Sequence, residues 1–93
     1  MLSDNAPSIR LLIDSAMRTM ENYVSRKPEA VIGVEGSDKG WTVTVEAIER
    51  KTVPDTQDIL GRYEIRLSEQ GKVLGWKRVM VRRRSDHYNE KGS

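Results

Sequence analysis

The 93-residue sequence has no cysteine and a single histidine. The first absence excludes disulfides, thiolate metal sites and a cysteine nucleophile together, and it agrees with a reducing compartment. No apolar run approaches the ~20 residues that cross a bilayer. The opening residues, Met1-Leu2-Ser3-Asp4-Asn5, lack the basic-then-apolar order of a secretory leader. A soluble cytoplasmic protein without membrane contact is expected. Nor is there a large excess of one charge. Sixteen Lys and Arg against fourteen Asp and Glu leave a formal net charge of +2, too small to demand a polyanionic partner. The length suits one domain, since domains commonly run to about 100–150 residues. A chain this short buries only about 60–65% of its unfolded surface, so its core will be thin.

What is present is strongly patterned. Ile9, Leu12, Ile13, Ala16, Met17, Met20 and Val24 recur in steps of three and four, which lays one apolar stripe along a helix. Arg10, Asp14, Arg18 and Glu21 occupy the opposite face. Pro7 suits a first helical position, where its missing N–H has no partner to lose. Lys27-Pro28 should end the helix, because the residue before proline avoids the α region. A helix with one apolar side must lie on something apolar.

The remainder reads as strands. Ala30–Gly36 is short and β-branched, and Ser37-Asp38-Lys39-Gly40 is turn chemistry. From Trp41 to Lys51 the side chains alternate, with Trp41, Val43, Val45 and Ala47 on one face. Val53–Asp58 holds a proline and is expected to be a loop. Ile59–Ser68 alternates again, setting Tyr63, Ile65 and Leu67 against Arg62, Glu64 and Arg66. Glu69-Gln70-Gly71-Lys72 is a hairpin turn, and a last strand should run from about Val73 to Arg82. Pairing across the two turns places Val34 opposite Val43, Ile32 opposite Val45, Leu67 opposite Leu74, Ile65 opposite Trp76 and Tyr63 opposite Arg78. The predicted fold is α+β, an N-terminal amphipathic helix packed on a four-stranded antiparallel β-meander. It forms a single domain over residues 8–84, between a flexible N-terminus at 1–7 and a polar tail at 85–93.

No constellation in the chain suggests a reaction. His87 lies in the polar tail, where no rigid partners can hold it as a base or ligand. Asp55 and Asp58 flank the proline loop, but calcium wants six to eight oxygens, and Asx turns account for both residues. Glu46, Glu49 and Glu64 are interspersed with arginines, so ion pairing on a wet sheet face explains them better than acid–base work. No cofactor or metal site is expected.

The better lead is the sheet face turned away from the helix. It should carry Ile48, Val73, Val79 and Val81 among Arg50, Arg62, Glu64, Arg66 and Lys77, and an apolar patch rimmed by charge marks protein contacts. We expect the binding face at Ile48, Arg62, Arg66, Val79 and Val81. From Lys72 to Arg84 there are six basic residues and no acid, so Lys77, Arg82, Arg83 and Arg84 form a basic flank. Nucleic acid is the weaker partner class. Single-strand binders stack bases on exposed aromatics, and Trp41, Tyr63 and Trp76 are all expected beneath the helix. The two edge strands could each add a further strand, which leaves room for a homodimer.

Three segments carry a resemblance to a known family. They are VIGVEGSDKGWTVTVEAIER, VPDTQDILGRYEI and LSEQGKVLGWKRV. In that order, over roughly Pro28–Arg84, the sequence resembles the gas vesicle protein O family, although it lacks the strongly acidic composition of the family's salt-loving members. The resemblance implies a cytoplasmic accessory protein without enzymatic activity, associated with gas vesicles and needed to make them. Such a protein would bind other gas vesicle proteins during assembly and would not form the shell wall. A regulatory role, with the basic last strand touching nucleic acid, is the alternative. The resemblance transfers no site residues by position.

Overall fold

The computed structural model describes residues 7–86. Helix α1 spans Ile9–Thr19. It begins at Ser8, not on Pro7, because the Ser8 hydroxyl accepts the Leu11 N–H at 3.1 Å and so satisfies one of the free donors of the first turn. A single π turn, Met20–Val24, extends it and closes with the Ser25 N–H on the Met20 carbonyl at 2.8 Å. Ser25 is left-handed (φ 61°) and turns the chain back. The helix therefore stops at Val24, and Lys27-Pro28, expected to terminate it, already belongs to the first strand.

Four strands follow: β1 (Lys27–Ser37), β2 (Gly40–Arg50), β3 (Ile59–Leu67) and β4 (Val73–Arg83). They form one sheet in the order β1-β2-β3-β4, with every neighbouring pair antiparallel. The α+β fold is the one read from the sequence, a helix on a four-stranded meander. The loop over Val53–Asp58 holds a short 3₁₀ turn at Asp55–Gln57. The expected flexible ends lie outside the described residues apart from Pro7, Ser85 and Asp86. The last two are tied back, Ser85 N–H to the Thr56 carbonyl and Asp86 N–H to the Arg83 carbonyl, both at 3.0 Å. His87 also lies outside the described residues.

Register follows the apolar alternation where the strands are regular. Val34 pairs with Val43, Ile65 with Trp76 and Tyr63 with Arg78. It departs wherever one strand carries an extra residue. Val31, not Ile32, meets Val45, leaving Ile32 as a bulge, and Val73, not Leu74, meets Leu67. Further bulges sit at Glu29 between Pro28 and Ala30, at Glu49 between Ile48 and Arg50, and at Val79 between Arg78 and Met80. A bulge shifts the pleat by one residue, so every side chain beyond it changes face.

The core lies between the helix and the middle strands. Leu12, Ala16 and Met20 of the helical segment pack on Val43, Val45 and Ala47 of β2 and on Tyr63, Ile65 and Leu67 of β3, all buried. Burying each large aliphatic side chain contributes about 1.5–3 kcal/mol. The helical segment also reaches β1, whose Val31 and Val34 are partly buried against this core. Trp76 shares a face with Ile65 and makes a tilted contact with Tyr63 (ring centroids 6.1 Å), yet it remains 43% exposed. Its expected burial beneath the helix is not realised, because β4 is an edge strand with a neighbour on one side only.

Candidate interaction face

The uncovered face of the sheet is built from residues of all four strands. Ile32, Gly33 and Glu35 of β1, Thr44 of β2, Arg62 and Glu64 of β3, and Val79 and Met80 of β4 line one shallow depression of about 410 Å³. The bulges at Ile32 and Val79 make this possible, since each puts two successive residues on the same side of the sheet. Arg62 and Val79, two of the five expected contact residues, lie in the depression. Ile48, opposite Leu60, sits on the same face towards its far end, and Arg66, opposite Gly75 and exposed, extends it towards the β3–β4 turn. Lys77 lies beside Glu64 on this face.

Val81 does not. It pairs with Gly61, and a side chain at Gly61 would point into the Glu49 carboxylate, which bonds the Tyr63 hydroxyl on the helix-covered side. The bulge at Val79 has turned Val81 over, and Val73, opposite Leu67, is likewise on the helix side. Met80 occupies the place expected of Val81, and Ile32 joins it from β1. Neither could be assigned by alternation alone, because Val79-Met80-Val81 is apolar in either phase.

Beyond the depression the face is held by charge. Glu46 is only 6% exposed. Arg82 grips it at two points, Nε to Oε2 at 3.0 Å and Nη2 to Oε1 at 2.9 Å, while Arg62 Nη2 reaches Oε2 at 3.3 Å. The hydrogen bond from Arg82 holds the Glu46 carboxyl below the usual carboxylate range, against the opposing pull of burial. Asp58 is fully buried. It accepts the Thr52 N–H at 2.8 Å, Lys51 Nζ at 3.4 Å and Arg84 Nη2 at 3.1 Å. The Thr52 amide first, and then Arg84, keep it ionised to lower pH than usual. Arg84 also makes a two-point pair with Glu29 of β1, at 3.0 and 2.8 Å, and is itself held more firmly protonated than usual by these carboxylates.

These pairs change the reading of the basic flank. Arg82 and Arg84 are spent on internal carboxylates. Arg83, opposite Ile59, falls on the other face, and Lys77 remains on the open face. Glu49 does not pair on the wet face as expected. Burial pulls its carboxyl upward, but the Tyr63 hydroxyl and Arg26 outweigh that and leave it below its usual value. The same burial and the Glu49 bond push the Tyr63 hydroxyl up. Among the described residues, no group of three or more His, Asp or Glu is placed to hold a metal ion, and no helix is long and apolar enough to cross a membrane.

Fold and face together define a small helix-on-sheet protein whose uncovered side offers a broad, shallow surface. The family model described as gas vesicle synthesis protein GvpO matches residues 3–88, and the chain belongs to that family. It is 46% identical over 94 aligned residues to gas vesicle protein O of Haloferax mediterranei, covering 96% of this chain and 67% of the relative. It is 41% identical over 75 residues to gas vesicle protein O1 of Halobacterium salinarum, covering 81% and 63% respectively. A Streptomyces gas vesicle protein O is 33% identical over 76 residues, covering 82% of this chain and 59% of its own. The chain thus spans about three-fifths to two-thirds of the length of these relatives. Neither the family's description nor these names denote an enzyme. No solved structure matches the chain.

Proposed function

We propose that this protein serves gas vesicle formation in the cytoplasm as an accessory factor, and that it binds another gas vesicle protein through the open face of its sheet. The observation that carries this reading is the depression itself. A solvent-facing sheet surface gains nothing from gathering Ile32, Val79 and Met80 around Arg62, Glu35 and Glu64, whereas a partner with matching apolar and charged groups would bury the first three and pair the others. Ile48 and Arg66 extend the contact along the strands. The ion pairs of Glu46 and Asp58 keep this surface in one shape, so little ordering is needed on binding.

Membership of a gas vesicle synthesis family supports the role, and the face supports the mode. The regulatory alternative, contact of β4 with nucleic acid, draws on less, since two of its four basic residues already hold carboxylates.

The test is pairwise capture of purified gas vesicle proteins by the tagged, nuclease-treated chain, with Val79→Asp beside it. Val79 sits on a bulge at 43% exposure, so the variant should fold with unchanged circular dichroism. A buried unpaired carboxylate should weaken capture tenfold or more, as about 1.4 kcal/mol suffices for each factor of ten. A folded variant that captures its partner as well as the original would place the contact elsewhere. Binding that disappears steeply with salt or with nuclease would favour the nucleic-acid role.

A further inference from the structure

We infer that a second copy of this chain docks edge to edge, β4 of one molecule adding antiparallel to β1 of the next. Both edges are eleven residues long, and no residue of either is fully buried. Each carries a bulge at the same height, Ile32 in β1 and Val79 in β4. Running down β4 from Lys77, the side chains face open, helix, open, open, helix. Running back along β1 from Glu35, they follow the same order. Glu35, Gly33 and Ile32 line the depression on the open side together with Val79 and Met80. Val34 and Val31 pair with the buried Val43 and Val45 on the helix side, as Arg78 and Val81 do with Tyr63 and Gly61.

One register therefore keeps every pair in phase: Glu35 with Lys77, Val34 with Arg78, Gly33 with Val79, Ile32 with Met80 and Val31 with Val81. A slip of one residue would break it. The charges agree, since Glu35 meets Lys77. At the next step Trp76 falls opposite Gly36, over which the Trp41 ring of the same chain already lies, so in this register the Trp76 indole comes beside that ring. The main chain agrees as well. The pairs of an antiparallel ladder alternate between bonded and open. Counting from the Arg84 N–H on the Asp58 carbonyl, Val81 turns its own N–H and C=O to the free edge. Counting from the two-residue turn after Ser37, so do Gly36 and Val34. On both edges the outward groups thus belong to helix-side residues, and they meet one another in this register. Pro28, which cannot donate, lies beyond the last residue of β4.

The contact uses two different edges, so it is head-to-tail and propagates into a ring or a ribbon; it does not stop at a pair. The contact shares Glu35 with the depression but is made by the chain with itself, so it does not rest on the docking proposed above and is read without any partner present.

Sedimentation velocity of the full chain over a concentration series tests it. Mass-average size should rise with concentration beyond a dimer. Glu35→Lys alone and Lys77→Glu alone each set like charges opposite one another and should weaken self-association about tenfold, whereas an equimolar mixture of the two restores a matched pair at every junction and should recover it. If Lys77→Glu disturbs the fold through its neighbour Glu64, Val81→Lys, on an exposed helix-side position, is used in its place for the loss of association. A chain that stays monomeric throughout overturns the proposal. So does a dimer that grows no further and ignores Glu35→Lys, and so does a mixture that fails to recover.

Discussion

Replacing Glu46 by glutamine keeps the shape of the open face and removes one charge. In the native sheet that carboxylate takes two bonds from Arg82, at 3.0 and 2.9 Å, and one from Arg62 at 3.3 Å. A hydrogen bond to a charged group contributes about 1.5–3 kcal/mol and a neutral one about 0.5–1.5; the glutamine amide keeps a single acceptor oxygen, so two of the bonds become neutral and the third, left facing an N–H donor, is lost, about 4 kcal/mol together. The two guanidinium side chains remain 22% and 24% exposed, and water reclaims part of that loss, which leaves about 2 kcal/mol. For a domain this size each kcal/mol moves the midpoint by about 4–8 °C. Thermal unfolding followed by circular dichroism at pH 7 should therefore place Glu46→Gln roughly 8–16 °C below the original. The pH dependence has a definite sign. Because Glu46 is held below its usual range when folded, its contribution is complete above the unfolded value of about 4.3 and is lost as pH falls through the lower folded value. The gap between the two proteins should close below about pH 4. A midpoint within about 2 °C of the original at pH 7 would refute the argument, as would a gap that persists in acid.

Two further outcomes follow from packing and backbone. Ile65→Ala removes a fully buried side chain from the centre of the core and should cost about 2–5 kcal/mol in chemical denaturation with little change in slope. Gly40→Ala should lower stability by more than about 1 kcal/mol, because Gly40 holds φ at 138° with the Leu67 carbonyl where a side chain would go; Gly33→Ala, which meets nothing within 4 Å, is the control that should stay within about 1 kcal/mol.

The helix stripe and the strand alternation were legible because each is a local repeat. Leu12, Ala16 and Met20 on one side, with Val43, Val45 and Ile65 facing them, follow from periods of 3.6 and 2. The bulges were not legible. A run such as Val79-Met80-Val81 satisfies the pattern in either phase, and the extra residue is set by how the sheet coils, which no single strand encodes. That is how Val81 came to be expected on the wrong face and Ile32 and Met80 were passed over. The ion pairs escaped for a different reason. Arg84 finds Glu29 across 55 positions of sequence, and a chain with sixteen cations and fourteen anions offers far too many pairings for spacing to choose among. Trp76 shows the limit of a face assignment: its side of the sheet was right and its burial was not, since burial also depends on whether the strand lies at the centre or the edge of the sheet.

The strand order has a kinetic meaning. Every strand pairs only with its sequence neighbour, so the sheet can grow as three successive hairpins, each closing a short loop at small entropic cost. Few of its pairings wait for distant parts of the chain, which favours rapid folding for a sheet protein. Among the ion pairs that join non-neighbouring strands, the bond from Arg84 to Glu29 reaches farthest, from the end of β4 to the start of β1. It can form only when all three hairpins are in place, which would make it the final step of folding and the first contact to be lost when either end of the sheet frays.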